Sequence, residues 1–179
     1  MTTSVLVAGS GGQGILFAGK LVAQAAMEGG MNVTWFPSYG AEVRGGTANC
    51  TVVISDGLIG SPVVSGPDVL AVMNEASLER FSGKVRENGI VILNSSMVSG
   101  RPSRKDVRVL EVPAGEIAAS IGAPLSANMV ICGALARAAS VCGLSVLRHA
   151  LKMLAARGKP GILEINTKAL EQGWKYIDK

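Results

Sequence analysis

Val5-Leu6-Val7-Ala8-Gly9-Ser10-Gly11-Gly12-Gln13-Gly14-Ile15 is the stretch on which the reading of this chain turns. Residues 5–8 form a short apolar run with strand character. From residue 15 to 27, Leu16, Gly19 or Lys20, Ala23 and Ala26 or Met27 recur at helical spacing, and Gly29-Gly30 ends the pattern. The glycines between therefore make a strand-to-helix turn. The first amides of a helix have no partner within it, and the positive end of the helix dipole lies there, so this turn is suited to an anion.

Working outward, β-branched runs at residues 33–36, 48–54, 69–73, 90–93 and 107–112 alternate with helical patterns. That alternation predicts an α/β chain: a three-layer Rossmann-like fold, its mainly parallel sheet flanked by helices. No internal repeat or long linker divides it, so residues 1–179 read as one domain. Residues 55–68 hold Gly57, Gly60, Pro62, Gly66 and Pro67 and read as a loop or short ribbon placed to cover the site. Farther on, Ser126 is expected to cap a helix reaching about Val141, and Ser145 one ending at Gly158 with Pro160 beyond. Asn166 is expected to cap a last helix that stops at Gly173. The small residues Gly133, Ala134, Ala136, Ala138 and Ala139 suit either packing on the chain's own sheet or a subunit interface.

A second glycine-rich segment, Ser38-Tyr39-Gly40-Ala41-Glu42-Val43-Arg44-Gly45-Gly46, follows the second strand. Arg44 is able to hold a phosphate or carboxylate in a fork of N–H bonds, or to pair with Glu42; Gly45 and Gly46 let a ligand approach the backbone, and Tyr39 stacks on a flat group or fixes the loop. Gln13 also reads two ways, as a ligand-facing amide or as part of the helix start. Gly9 to Gly14 satisfy G-x-G-x-x-G in the right context, but the second strand ends Trp35-Phe36-Pro37-Ser38, without the carboxylate that a nicotinamide dinucleotide's ribose requires. Gly14 to Lys20 imitate a phosphate-binding G-x-x-x-x-G-K, yet Leu21 stands where Ser or Thr would hold magnesium.

No catalytic constellation emerges. His149 is the only histidine, at mid-helix, and reads as structural or solvent-facing. There is no G-x-S-x-G elbow and no H-E-x-x-H zinc helix. Cys50, Cys132 and Cys142 are too scattered for a disulfide framework, an iron–sulfur centre or another metal site, and read as buried small hydrophobes. The net charge of +4 favours anionic ligands or acidic partner surfaces, but the basic residues form no block and aromatics make up only 4%, which argues against nucleic acid. No apolar run reaches the ~20 residues of a bilayer span, so no membrane association and a cytoplasmic location are expected. The chemistry is that of a binding subunit.

Taken in order, Ala8-Gly9-Ser10-Gly11-Gly12-Gln13-Gly14-Ile15, Ser38 to Gly46, Ile54-Ser55-Asp56, Ser61-Pro62, Pro67-Asp68 and Ser126-Ala127-Asn128-Met129 resemble the gamma subunit of 2-oxoacid:ferredoxin (acceptor) oxidoreductases, over nearly the whole chain. The resemblance implies a multisubunit enzyme that oxidatively decarboxylates a 2-oxoacid, transfers the acyl group to coenzyme A and passes electrons to ferredoxin. Thiamine diphosphate would lie between alpha and beta subunits, and iron–sulfur clusters in beta or in a ferredoxin-like delta subunit. The gamma chain would help form the coenzyme A site, through Gly9, Ser10, Gly11, Gly12, Gln13, Gly14, Tyr39, Glu42, Arg44, Gly45 and Gly46, or would use both loops to dock its partners. Tyr39-Gly40-Ala41-Glu42 with Thr47-Ala48-Asn49-Cys50 looks more like members acting on 2-oxoglutarate or branched-chain 2-oxoacids than on pyruvate. Alone, such a chain is expected to be inactive and to self-associate through surfaces meant for partners. A stand-alone dinucleotide- or flavin-binding redox module is the competing reading.

Overall fold

Alternating apolar side chains carry the central strand through two different cores. In β1 (Thr2–Ser10), Val5 and Val7 enter one face of the sheet while Leu6 and Ala8 enter the other, all nearly or fully buried. Each fully buried aliphatic side chain is worth about 1.5–3 kcal/mol, so a strand buried on both sides anchors both layers. The computed structural model describes residues 1–39, 47–155 and 160–178. Along the chain follow α1 (Ile15–Glu28), β2 (Asn32–Tyr39), β3 (Thr47–Ser55), β4 (Val69–Val72), α2 (Glu75–Phe81), β5 (Ile90–Asn94), β6 (Arg108–Val112), α3 (Ala114–Ser120), α4 (Ala127–Ala138), α5 (Leu144–Leu154) and α6 (Pro160–Tyr176).

The sheet runs β2-β3-β1-β4-β5-β6. β1, β4, β5 and β6 are mutually parallel, as the strand and helix alternation predicts, whereas β3 is antiparallel to both β1 and β2. β2 and β3, consecutive along the chain, are thus antiparallel neighbours in the sheet. Helices cover the two faces unequally. Buried residues of α1, α3, α4, α5 and α6 share a core with Val5, Val7, Cys50, Val52 and Ile92; α2 lays Leu78 and Phe81 on the opposite face, against Leu6, Leu70, Val72 and Leu93. Among the described residues no helix is long and apolar enough to cross a membrane.

Several end signals play other roles. Ser126 precedes α4 without capping it through its side chain; its hydroxyl donates to Asn166 Oδ1 at 2.7 Å. Asn166 therefore lies inside α6, and Pro160 opens that helix, where its missing N–H is harmless. Gly143, not Ser145, precedes α5. Gly173 does not stop α6 but lets it touch α4: a Cβ there would lie 1.8 Å from the Val130 carbonyl oxygen, and one at Gly133 would lie 1.9 Å from that of Leu170. The small-residue face of α4 thus serves a helix–helix contact within the chain.

Residues 55–68 are anchored at both ends beside the first residues of β1. They leave β3 at Ser55, paired with Thr2, and return at Asp68, whose carboxylate accepts from Ser4 N at 2.7 Å and Ser4 Oγ at 2.6 Å. Both ends are fixed at the start of β1; between them Val64, Ser65 and Pro67 line a cavity of about 370 Å³ with Leu6, Asn49, Thr51 and Phe81, Asn49 being the partner of Ala8 in the sheet.

Candidate functional site

The helices that follow β1 and β4 pack on opposite faces of the sheet, so the carboxyl ends of these adjacent parallel strands open into a crevice. In α/β sheets ligands bind at such switch points. Gly9 and Ser10 complete β1, Gly12 and Gly14 adopt left-handed φ values of 93° and 72°, and Gly14 precedes α1 with no side-chain cap. The amides of Gly11, Gly12 and Gly14 have no hydrogen-bond acceptor among the described residues. They are free to donate to water or to a ligand.

Gln13 braces this turn. Its Oε1 accepts from Ser10 N at 2.7 Å and from Asn74 Nδ2 at 3.4 Å, while its Nε2 donates to the Met73 carbonyl at 3.3 Å. Asn74 Nδ2 also donates to Ser10 Oγ at 2.6 Å, and Asn74 Oδ1 caps α2 by accepting from Ser77 N. From the other side Asn128 Nδ2 reaches the Gly14 carbonyl at 3.4 Å. Gly9 is required by proximity, since a Cβ would meet Gln13 Oε1 and Ile15 Cδ1, both at 2.6 Å.

Three concavities meet around the turn. One of about 620 Å³ is lined by Ser10, Gly11, Gly12, Gly14, Phe17 and Ala48. A second, of about 240 Å³, shares Gly12 and runs to Asn94 and Ser96 at the end of β5. A third, of about 420 Å³, lies between Phe17, Leu125, Ile162 and Ile165. The first pairs free backbone amides with a mainly apolar wall, which suits a ligand having both anionic and apolar parts.

The family model for pyruvate ferredoxin/flavodoxin oxidoreductase matches residues 4–176. The chain belongs to this family. It is 42% identical over 177 residues to ketoisovalerate oxidoreductase subunit VorA of Methanothermobacter marburgensis, covering 98% of this chain but 36% of that protein. The chain thus spans about a third of the length of that relative. The gamma subunit of a keto/oxoacid ferredoxin oxidoreductase from Geobacter sulfurreducens superposes with a TM-score of 0.85 at 25% identity, covering 98% of this chain and 95% of that one. The 2-oxoglutarate:ferredoxin oxidoreductase of Magnetococcus marinus, solved with 2-oxoglutarate, coenzyme A and succinyl-CoA bound, shares the fold. Its TM-score is 0.86 at 23% identity, covering 99% of this chain and 31% of that one.

For this family member the expected residues divide into two groups. Gly9, Ser10, Gly11, Gly12, Gln13 and Gly14 form one built turn, with Gln13 turned inward as its brace. Glu42, Arg44, Gly45 and Gly46 lie outside the described residues, and of Tyr39 only the backbone is described, at the end of β2. Thr47, the first described residue after them, pairs with Ser10. β3 stands between β1 and β2, so the strand end from which a dinucleotide's ribose would be held is one strand farther from the turn. Sequence reasoning missed Asn74, Asn94 and Asn128. The first two carry a signal, since each is an amide directly after an apolar strand.

His149 is exposed, Cys50 and Cys132 are buried and Cys142 is half-buried. Burial pushes the Cys50 thiol up to about 11, against smaller opposing effects of hydrogen bonds from the Trp35 side chain and the Gly19 backbone, and burial likewise pushes Cys142 up to about 11. Their folded values lie above the unfolded one, so this contribution is full below about pH 9 and is lost as pH rises through about 11. Melting temperatures are expected to fall across that window, and Cys50→Ala to flatten the fall by an amount corresponding to about 2 kcal/mol. An unchanged slope in the variant would refute this.

Proposed function

We propose that this chain is the gamma subunit of a multisubunit 2-oxoacid:ferredoxin oxidoreductase and contributes to its coenzyme A site. The observation that carries the reading is the uncapped start of α1, where Gly11, Gly12 and Gly14, whose amides have no acceptor among the described residues, line a cavity of about 620 Å³. Coenzyme A carries phosphates for such amides and apolar stretches for such a wall. The Magnetococcus relative binds it, which supports the assignment. Arg44 would add charge from the second loop, with Tyr39, Glu42, Gly45 and Gly46 shaping it.

In this reading residues 1–179 act as one cytoplasmic domain. Thiamine diphosphate and iron–sulfur clusters belong to alpha and beta subunits or a ferredoxin-like delta subunit, and ferredoxin takes the electrons. A branched-chain 2-oxoacid is the substrate most in keeping with the 42% identity to VorA, with 2-oxoglutarate next. Leu125 and Ile162, 95% and 52% exposed, offer apolar surface that partner subunits would cover, and through which a solitary chain would dimerise.

The test is anaerobic purification from the native host through a tag on this chain, followed by coenzyme A-dependent reduction of ferredoxin with a panel of 2-oxoacids. Co-purifying thiamine- and cluster-bearing subunits, with activity on a branched-chain acid, are expected. A solitary chain that binds a nicotinamide or flavin nucleotide and not coenzyme A would overturn the proposal in favour of an independent redox module.

A further inference from the structure

The cavity of about 370 Å³ beside residues 64–67 is separate from the three that meet around the glycine turn. Asn49 and Thr51, in its wall, alternate along β3 with Ala48, Cys50 and Val52, which enter the core on the other side of the sheet. They therefore share the face of Leu6 and Phe81, which also line it. Ala48 lines the cavity at the glycine turn. The two cavities thus lie on opposite faces of β3.

Charge distinguishes this second cavity. Lys84 is the only charged residue in the walls of the four cavities. Its Nζ lies 5.6 Å from the centroid of the Phe81 ring, and Arg80 Cζ lies 5.3 Å from the same centroid. Arg80 Nη1 also donates to Thr47 Oγ1 at 3.1 Å, two residues before Asn49 on the same strand face, so the guanidinium stands at the rim. Among the described residues neither cation has an ion-pair partner, whereas Arg86, Arg101, Arg104, Arg137, Arg148 and Lys168 each have one. Like charges four residues apart on a helical turn repel, and an anion between them relieves the repulsion.

The other walls narrow the ligand. Asn49, Thr51 and Ser65 offer an amide and two hydroxyls that form no side-chain hydrogen bond among the described residues, and Leu6, Pro67 and Phe81 supply apolar surface. The volume is at the small end of the range of about 300–1,000 Å³ typical of ligand pockets. We infer that this cavity is a second binding site, on the sheet face opposite the glycine turn, for a small hydroxylated oxyanion. Lys84 and Arg80 hold its phosphate or carboxylate, and Asn49, Thr51 and Ser65 its hydroxyl. The inference does not depend on the coenzyme A reading.

The test is calorimetric titration of the protein, purified through a tag on the full chain in whatever assembly it forms, with glycerol 3-phosphate and with malate. Binding of either is expected, and the tighter of the two tells which oxyanion the site takes. Lys84→Met, which keeps the apolar stem and removes the charge, should weaken that probe roughly tenfold or more. Thr51→Val should weaken it about fivefold, and Lys152→Met, an exposed cation on α5 that lines none of the four cavities, should leave it unchanged. Saturating coenzyme A should not alter the affinity. Absence of binding by wild type up to about 10 mM of either probe, or equal affinities of wild type and Lys84→Met, would overturn the site. Displacement of the probe by coenzyme A would also overturn it, by placing the probe at the glycine turn.

Discussion

Gly173→Ala is expected to lower the unfolding free energy by about 3 kcal/mol or more, a large effect for a single methyl group. The new Cβ would lie 1.8 Å from the Val130 carbonyl oxygen and 2.6 Å from its carbon, and backbone cannot step aside as a side chain end does. α6 would have to lift from α4, loosening Ala169 and Leu170, both fully buried, and the Ser126–Asn166 hydrogen bond. Gly161 supplies the control. It lies in the same helix with no described atom within 4 Å of a Cβ there, so Gly161→Ala should stabilise by about 0.5–1 kcal/mol through helix propensity alone. Urea unfolding of both variants reads the contrast, and an unchanged midpoint for Gly173→Ala would contradict the close helix contact.

Gly12→Asp is expected to cut coenzyme A affinity by at least about 100-fold with the fold kept. Among the described residues nothing lies within 4 Å of a Cβ at Gly12, so the side chain has room among them, and it would project where phosphate oxygens are proposed to sit. Like charges set against each other cost several kcal/mol at a binding site. The left-handed φ of 93° adds roughly 1–2 kcal/mol of backbone strain, which Gly12→Asn shares without the charge. Calorimetric titration of the complex should therefore show only a modest loss for Asn and near abolition for Asp. Equal losses would mean that strain and not phosphate repulsion governs the turn. Intact affinity in both variants would remove the glycine turn from the site.

Every strand was legible in the sequence because each is an apolar β-branched run, and the strand-to-helix glycine turn was legible because both of its flanks were. The direction of β3 was not. Val52-Val53-Ile54 has the same composition whichever way it runs, and only pairing shows it antiparallel to its neighbours. α2 and α3 have seven residues each, two turns, too few for a helical period to stand out. Pro160 and Gly173 misled for a shared reason: proline both follows and opens helices, and glycine both ends a helix and admits another against it. At the site, Asn74, Asn94 and Asn128 reach the glycine turn or its adjoining cavity from positions 60 or more residues away in the chain. Their convergence is a property of strand order, so the sequence could show the turn but not what steadies it.

That steadying sets how the site would meet a ligand. With Ser10, Gln13, Met73 and Asn74 linked by hydrogen bonds that involve no ligand, the turn holds its shape beforehand. Capture then requires no ordering of the loop, and differences in affinity among related ligands fall mainly on how long each stays. Loosening Asn74 would change that. The turn would spend part of its time out of shape, and every ligand, whatever its own contacts, would be weakened by the same fraction.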